Sequence, residues 1–93
     1  MKELIIEVKE INGNCPVYKI GDRIILDGGY KVNLTQTTAI CIHSLASIML
    51  YYVALSNGVS PKKLGLRGKE TGNNAFVKCL DSCKYTGGGT VIF

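Results

Sequence analysis

The chain has 93 residues, 46% of them hydrophobic, with 11 Lys plus Arg against 7 Asp plus Glu and a formal net charge of +4. That length is one α+β domain, 1–93, and not two. The charge is only mildly basic, short of the dense Lys/Arg footprint of a dedicated nucleic-acid binder, and a domain this small gains from a metal or a partner subunit.

The chain opens Met1-Lys2-Glu3-Leu4-Ile5-Ile6-Glu7-Val8-Lys9. Charges interrupt the apolar residues, so this stretch does not read as a signal peptide. The expected compartment is cytoplasmic and reducing, where cysteines serve as thiols or ligands rather than disulfides. Residues 3–9 read as a strand, closed by the turn cluster Asn12-Gly13-Asn14. Cys15 is held extended by Pro16 and belongs at a loop mouth or strand start. Residues 17–26 read as strand, Gly21-Asp22 turn and strand. Asp27-Gly28-Gly29 turns the chain again before a short strand over 30–34.

No charged residue lies between Lys31 and Lys62. Within that stretch, 39–55 falls short of the roughly 20 apolar residues of a membrane span. It also carries His43, Ser44 and Ser47, so no membrane segment is expected. The stretch predicts one long apolar helix, capped by Thr37 or Thr38 and ended at Asn57-Gly58. His43, Ser44, Ser47, Tyr51 and Ala54 fall on one narrow face of it. Its apolar remainder predicts contact with the sheet and with a second surface, which makes a homo-oligomer through the helix the expected assembly. Pro61 predicts a short second helix over 60–64. A loop over 65–74, a strand over 75–80, a glycine-ended loop over 81–89 and a last strand over 90–93 complete the chain. The expected fold is a four- to five-stranded, mostly antiparallel sheet with the long helix packed on one face.

The residues able to carry chemistry are Cys15, Cys41, Cys79, Cys83 and the single histidine, His43. There is no Cys-x-x-Cys knuckle, so a metal site must be assembled from separate elements. Cys15 before a strand, Cys41 at the helix start and Cys79 at a strand end could meet at one edge of the sheet. Thiolate and imidazole ligands favour zinc or iron. Residues two apart on a helix point about 200° from one another, so Cys41 and His43 share an ion only if the helix begins after both. Two other readings stand beside this one. The cysteines can simply pack as small hydrophobes. Alternatively Cys41, at a helix N-terminus, can be an activated thiol, although no second catalytic group accompanies it.

Gly87, Gly88 and Gly89 with Lys84 form a candidate anion-binding loop, without the Gly-Lys-Ser/Thr ending and following helix of a phosphate-binding loop. Lys62, Lys63, Arg67 and Lys69 form the densest basic patch. With Tyr18, Tyr30 and Tyr85 it would serve nucleic acid only if all shared one face, and a solvated loop is the favoured reading.

Cys15-Pro16-Val17-Tyr18-Lys19-x-Gly21-Asp22, Cys41 opening a helix, Cys79-Leu80-Asp81 and the ending Thr86-Gly87-Gly88-Gly89-Thr90-Val91-Ile92-Phe93 resemble one family. It comprises short prokaryotic proteins, occurring as single domains or tandem repeats, and brings no known activity with it. The resemblance covers most of the chain. It implies a site centred on Cys15, Cys41 and Cys79, with Asp81 or water as a fourth ligand. Related sequences read aspartate-proline-glycine where this chain has Asp81-Ser82-Cys83, so Cys83 stands outside the pattern, and His43 is optional. The leading expectation is a metal- or redox-binding accessory domain. The alternatives are a small-ligand or protein-binding module with structural cysteines, and a thiol enzyme.

Overall fold

The computed structural model describes residues 2–68, 74–81 and 83–93, with the side chains of Cys83 and Lys84 left outside the description. Lys69 and Ser82 therefore also lie outside the described residues.

The β-branched run at the chain start forms β1, Leu4–Glu7, which pairs antiparallel with β3, Arg23–Asp27. β3 pairs on its other side with the two-residue strand β4, Lys31–Val32. A second sheet joins β2, Glu10–Gly13, to β5, Gly89–Ile92, again antiparallel. Val8 and Lys9 form the corner between the sheets. The Val8 amide donates to Asp22 of the first sheet, and the Lys9 amide donates to Ile92 of the second. One chain segment thus serves both sheets. The core lies inside this corner and contains Val8, Tyr18, Ile24, Leu26, Ile48, Cys79, Val91 and Phe93.

Two small sheets replace the single four- to five-stranded sheet expected from sequence. The anticipated strand over 75–80 survives only as isolated bridges, Arg67↔Ala75 and Lys78↔Ile92. Val77 and Phe93 exchange amide bonds and Cys79 donates to Val91, so this segment runs along the outer edge of β5. There the ladder stops, because the Val91 amide turns to the Cys79 sulfur at 3.3 Å.

The long apolar helix is not present. Its residues form α1, Ile42–Ile48, and α2, Tyr52–Ser56. Two causes are visible. At the start, Thr37 and Thr38 do not cap a helix. Their hydroxyls accept the Ile25 and Arg23 amides at 3.0 and 3.2 Å, finishing the edge of β3 beyond short β4. In the middle, Met49 and Leu50 stand exposed, and the Tyr51 amide reaches back only to Ile48. A straight helix apolar all round needs two apolar surfaces, and these two small sheets provide one core. Breaking at 49–51 lets α2 swing so that Ser56 meets the first sheet, where its carbonyl accepts the Lys2 amide. The aromatic and β-branched run Tyr51-Tyr52-Val53 also has weak helical propensity. The helix faces are inverted from the naive expectation. Ser44 and Ser47 are buried, while Ile42, Met49, Leu50 and Val53 are exposed. The homo-oligomer expected through a long helix therefore loses that element. The short helix expected over 60–64 is a run of turns, and a single helical turn not foreseen, α3, covers Cys83–Thr86.

Gly29 joins the pieces. It sits at φ +83, and a Cβ added there would lie 2.5 Å from the Ser56 Cβ. Gly21 has a similar φ of +92 but open space around it. Gly29→Ala should therefore cost about 2–4 kcal/mol, combining left-handed strain with overpacking, while Gly21→Ala should cost about 1–2 kcal/mol from strain alone. Urea denaturation of the two variants measures the difference.

Candidate functional site

The N-terminal end of α1 is fixed by a buried ring of hydrogen bonds. The Cys41 amide donates to the Tyr18 hydroxyl at 2.7 Å, and the Ser44 hydroxyl donates to the Cys41 carbonyl at 2.8 Å. Tyr18 Oη and Ser44 Oγ are 2.7 Å apart. With the serine proton committed to Cys41, the phenol proton closes the ring. Each link polarises the next. Tyr18 is 4% exposed and Ser44 is fully buried. Among the described residues no buried side-chain nitrogen or oxygen lacks a partner.

Of the three expected site cysteines, Cys41 belongs to this ring, Cys15 touches Tyr18, and Cys79 lies in the same core beside β5. Cys15 is half-buried, and its sulfur accepts the Tyr18 amide at 3.3 Å. Cys41 is half-buried and precedes α1 as its N-cap, with no side-chain capping bond. Cys79 is buried; its sulfur accepts the Val91 amide, and its S–H reaches the Gly89 carbonyl at 3.6 Å. All three are free thiols that join or border the same core. They do not form a ligand set: among the described residues, no group of three or more His, Cys, Asp or Glu is placed to hold a metal ion. His43 lies within α1, one residue past the helix start, and is exposed. The geometric condition for sharing an ion with Cys41 is therefore not met.

Asp81 is engaged elsewhere. Its carboxylate accepts the Thr86 hydroxyl, and its carbonyl accepts the Thr90 hydroxyl at 2.5 Å. A Cβ on Gly88 would overlap the Asp81 carboxylate. The glycine loop proposed for anions is thus folded over a carboxylate of its own chain. The loop's amide at Gly88 donates to Thr86 Oγ1 at 3.2 Å. Lys62, Lys63 and Arg67 are exposed, but Tyr18 is buried beneath the core and offers no stacking face.

One concave feature has no signal in the sequence. A cleft of about 690 Å³ lies between β1, the helices, the Gly58–Pro61 turn and the Asn74–Val77 segment. Its apolar lining includes Ile5, Tyr51, Tyr52, Leu55, Phe76 and Phe93. Phe93 also meets the Tyr18 ring edge-on at 5.3 Å, which ties the cleft wall to the hydrogen-bonded ring. The hydroxyls of Tyr51 and Tyr52 make no hydrogen bond among the described residues. The lining comes from separated stretches of chain, so no local spacing announces it. Of these residues, Tyr51 belongs to the narrow helix face and Phe93 to the terminal motif read from the sequence.

No protein-family model, curated protein or solved structure matches this chain. Among the described residues no helix is long and apolar enough to cross a membrane.

The ring makes a specific energetic prediction. Tyr18→Phe should destabilise the domain by about 1–3 kcal/mol, because it strands the Cys41 amide in the interior. Ser44→Ala should cost a similar amount. The double variant should cost less than the two together by about 1 kcal/mol, as expected for residues sharing one network. Equilibrium unfolding in urea closes the cycle.

Proposed function

We propose that this domain is a binding module that takes an apolar ligand into the cleft beside β1, with its thiols serving the core. One observation carries this reading: a cleft of about 690 Å³ with a largely aromatic and aliphatic lining. That volume lies within the roughly 300–1,000 Å³ range of ligand sites, which are mostly apolar with a few polar groups. Glu7, Lys9, Ser60, Asn74 and the two tyrosines supply the polar groups here.

A second reading keeps the thiolate site, and one observation favours it. The Cys15 and Cys79 sulfurs each accept a backbone amide at 3.3 Å. Such bonds stabilise thiolates and tune metal–sulfur centres. Zinc or iron on Cys15, Cys41 and Cys79 would require the Cys79 thiol to lose its proton and its contact with Gly89. It would also require the three sulfurs to converge.

Two measurements separate the readings. The dye 1-anilinonaphthalene-8-sulfonate should bind the folded protein with enhanced fluorescence. Val59→Arg, at the partly exposed cleft rim, should weaken that binding about tenfold or more, a loss of at least ~1.4 kcal/mol, with the melting temperature unchanged. Equal dye binding by the variant would remove the cleft reading. Elemental analysis of anaerobically purified protein should find no stoichiometric metal and freely titrating thiols. About one zinc or iron per chain, with three thiols protected until denaturation, would establish the metal reading instead.

A further inference from the structure

β1 lies at the edge of its sheet, in the order β1-β3-β4. In an antiparallel ladder alternate residues bond to the partner, and those between point their amides and carbonyls the other way. The phase is fixed twice here. The Val8 amide donates to Asp22, so Val8 faces β3. On β3, Arg23 and Ile25 direct their backbone groups away from β1, toward Thr38, Thr37 and Asn33. These two residues oppose Glu7 and Ile5. The N–H and C=O groups of Ile5 and Glu7 therefore point to the open edge, about 6.8 Å apart along the strand. They have no partner among the described residues.

Lys9 has the same parity, and its amide is taken by Ile92 of β5. The open groups of Glu7 and Ile5 thus continue the edge that β5 covers. Across β5 runs the 77–79 segment, which pairs with it through Val77 and Cys79. Followed backward past Val77, that segment reaches Phe76, whose amide turns outward to Leu66, and Ala75, bridged to Arg67. By the same alternation, Ala75 directs its own backbone groups toward β1. The cleft is lined by Leu4, Ile5, Ile6 and Glu7 on one side, by Asn74, Ala75, Phe76 and Val77 on the other, and by Phe93 of the β5 line. It thus lies between two edges that both offer backbone groups.

We propose that the cleft accepts a single extended peptide segment of a partner protein, which completes the sheet by strand addition in line with β5. This rests on the reading of the cleft as the binding site and names its ligand class. The alternating donors and acceptors match an extended backbone. Leu4 and Ile6 pack toward the core, while Ile5 and Glu7 are exposed. The guest therefore alternates apolar residues on the inner face with polar ones outside. A second copy of β1 is backed by its own β3, which a cleft bounded on both sides does not admit. Lys9 lines the cleft and makes no ion pair among the described residues, whereas Glu7 is already paired with Arg23. An acidic residue at the guest's Phe93 end is matched to Lys9.

The test uses the whole chain, labelled with nitrogen-15, and a capped hexapeptide that opens on glutamate and alternates valine with threonine. Binding should slow exchange of the Ile5, Glu7 and Ala75 amides about tenfold or more. A peptide with an edge-facing amide N-methylated should bind about tenfold more weakly, as should the Ile5→Pro variant, whose lost N–H serves no bond to β3. Unchanged exchange at these amides with peptide bound, or equal binding of the methylated peptide, overturns the proposal. Dye binding without peptide binding overturns it while leaving the apolar site intact; loss of both removes site and proposal together. A concentration-dependent dimer that protects the same amides without peptide also overturns it, in favour of self-pairing.

Discussion

The closed hydrogen-bond ring of Tyr18, Ser44 and Cys41 is the constraint from which the arrangement of the helical half follows. Its three links, from 2.7 to 2.8 Å, lie in the interior between the turn after Cys15 and the start of α1. A buried polar group without a partner costs more than its bond gains. The ring therefore holds α1 in the one orientation that points serines inward. That orientation leaves Ile42 in solvent, and the chain breaks at the exposed Met49 and Leu50 before α2. Tyr18 then carries the constraint to Phe93, and so to the end of β5 and the wall of the cleft.

Strand positions were legible where the local signal was unambiguous. The β-branched residues of β1 and β3, the turn between β3 and β4 and the last strand lie where composition places them. The helix failed for a tertiary reason. Residues 39–55 have the apolarity of one long helix, but Thr37 and Thr38 are drawn into the edge of β3, and one small core cannot cover a helix that is apolar all round. Propensity and pattern say nothing about that competition. By its sequence Val8-Lys9 is simply the end of a strand over 3–9. The switch between sheets depends on which distant amide each residue meets, Asp22 or Ile92.

The cysteines show how one residue type can suit two different roles. Cys15, Cys41 and Cys79 all border the core that Tyr18 organises. Small, weakly polar side chains suit that place whether or not they ever hold a metal. The glycine loop is similar. Its apparent vacancy for an anion is taken by Asp81, and Gly88 is needed because that carboxylate lies where a side chain would be. In both cases a residue type that signals binding also solves a packing problem, and only the partners distinguish the two.

The two edges of the first sheet are treated differently, and that asymmetry bears on function. On the outer side of β3, beyond β4, the domain uses two threonine hydroxyls and the Asn33 and Thr38 amides to satisfy the strand. The opposite edge, along β1, has no such cover among the described residues. Its sequence, Leu4-Ile5-Ile6-Glu7, contains no proline or lysine, and its one charge, Glu7, is paired with Arg23. It instead faces an apolar cleft with a second set of strand-like backbone groups across it. A domain that closes one edge with side chains could have closed the other. An edge without a partner among the described residues, in line with a strand already in place and bounded on the far side, has the geometry that strand addition uses.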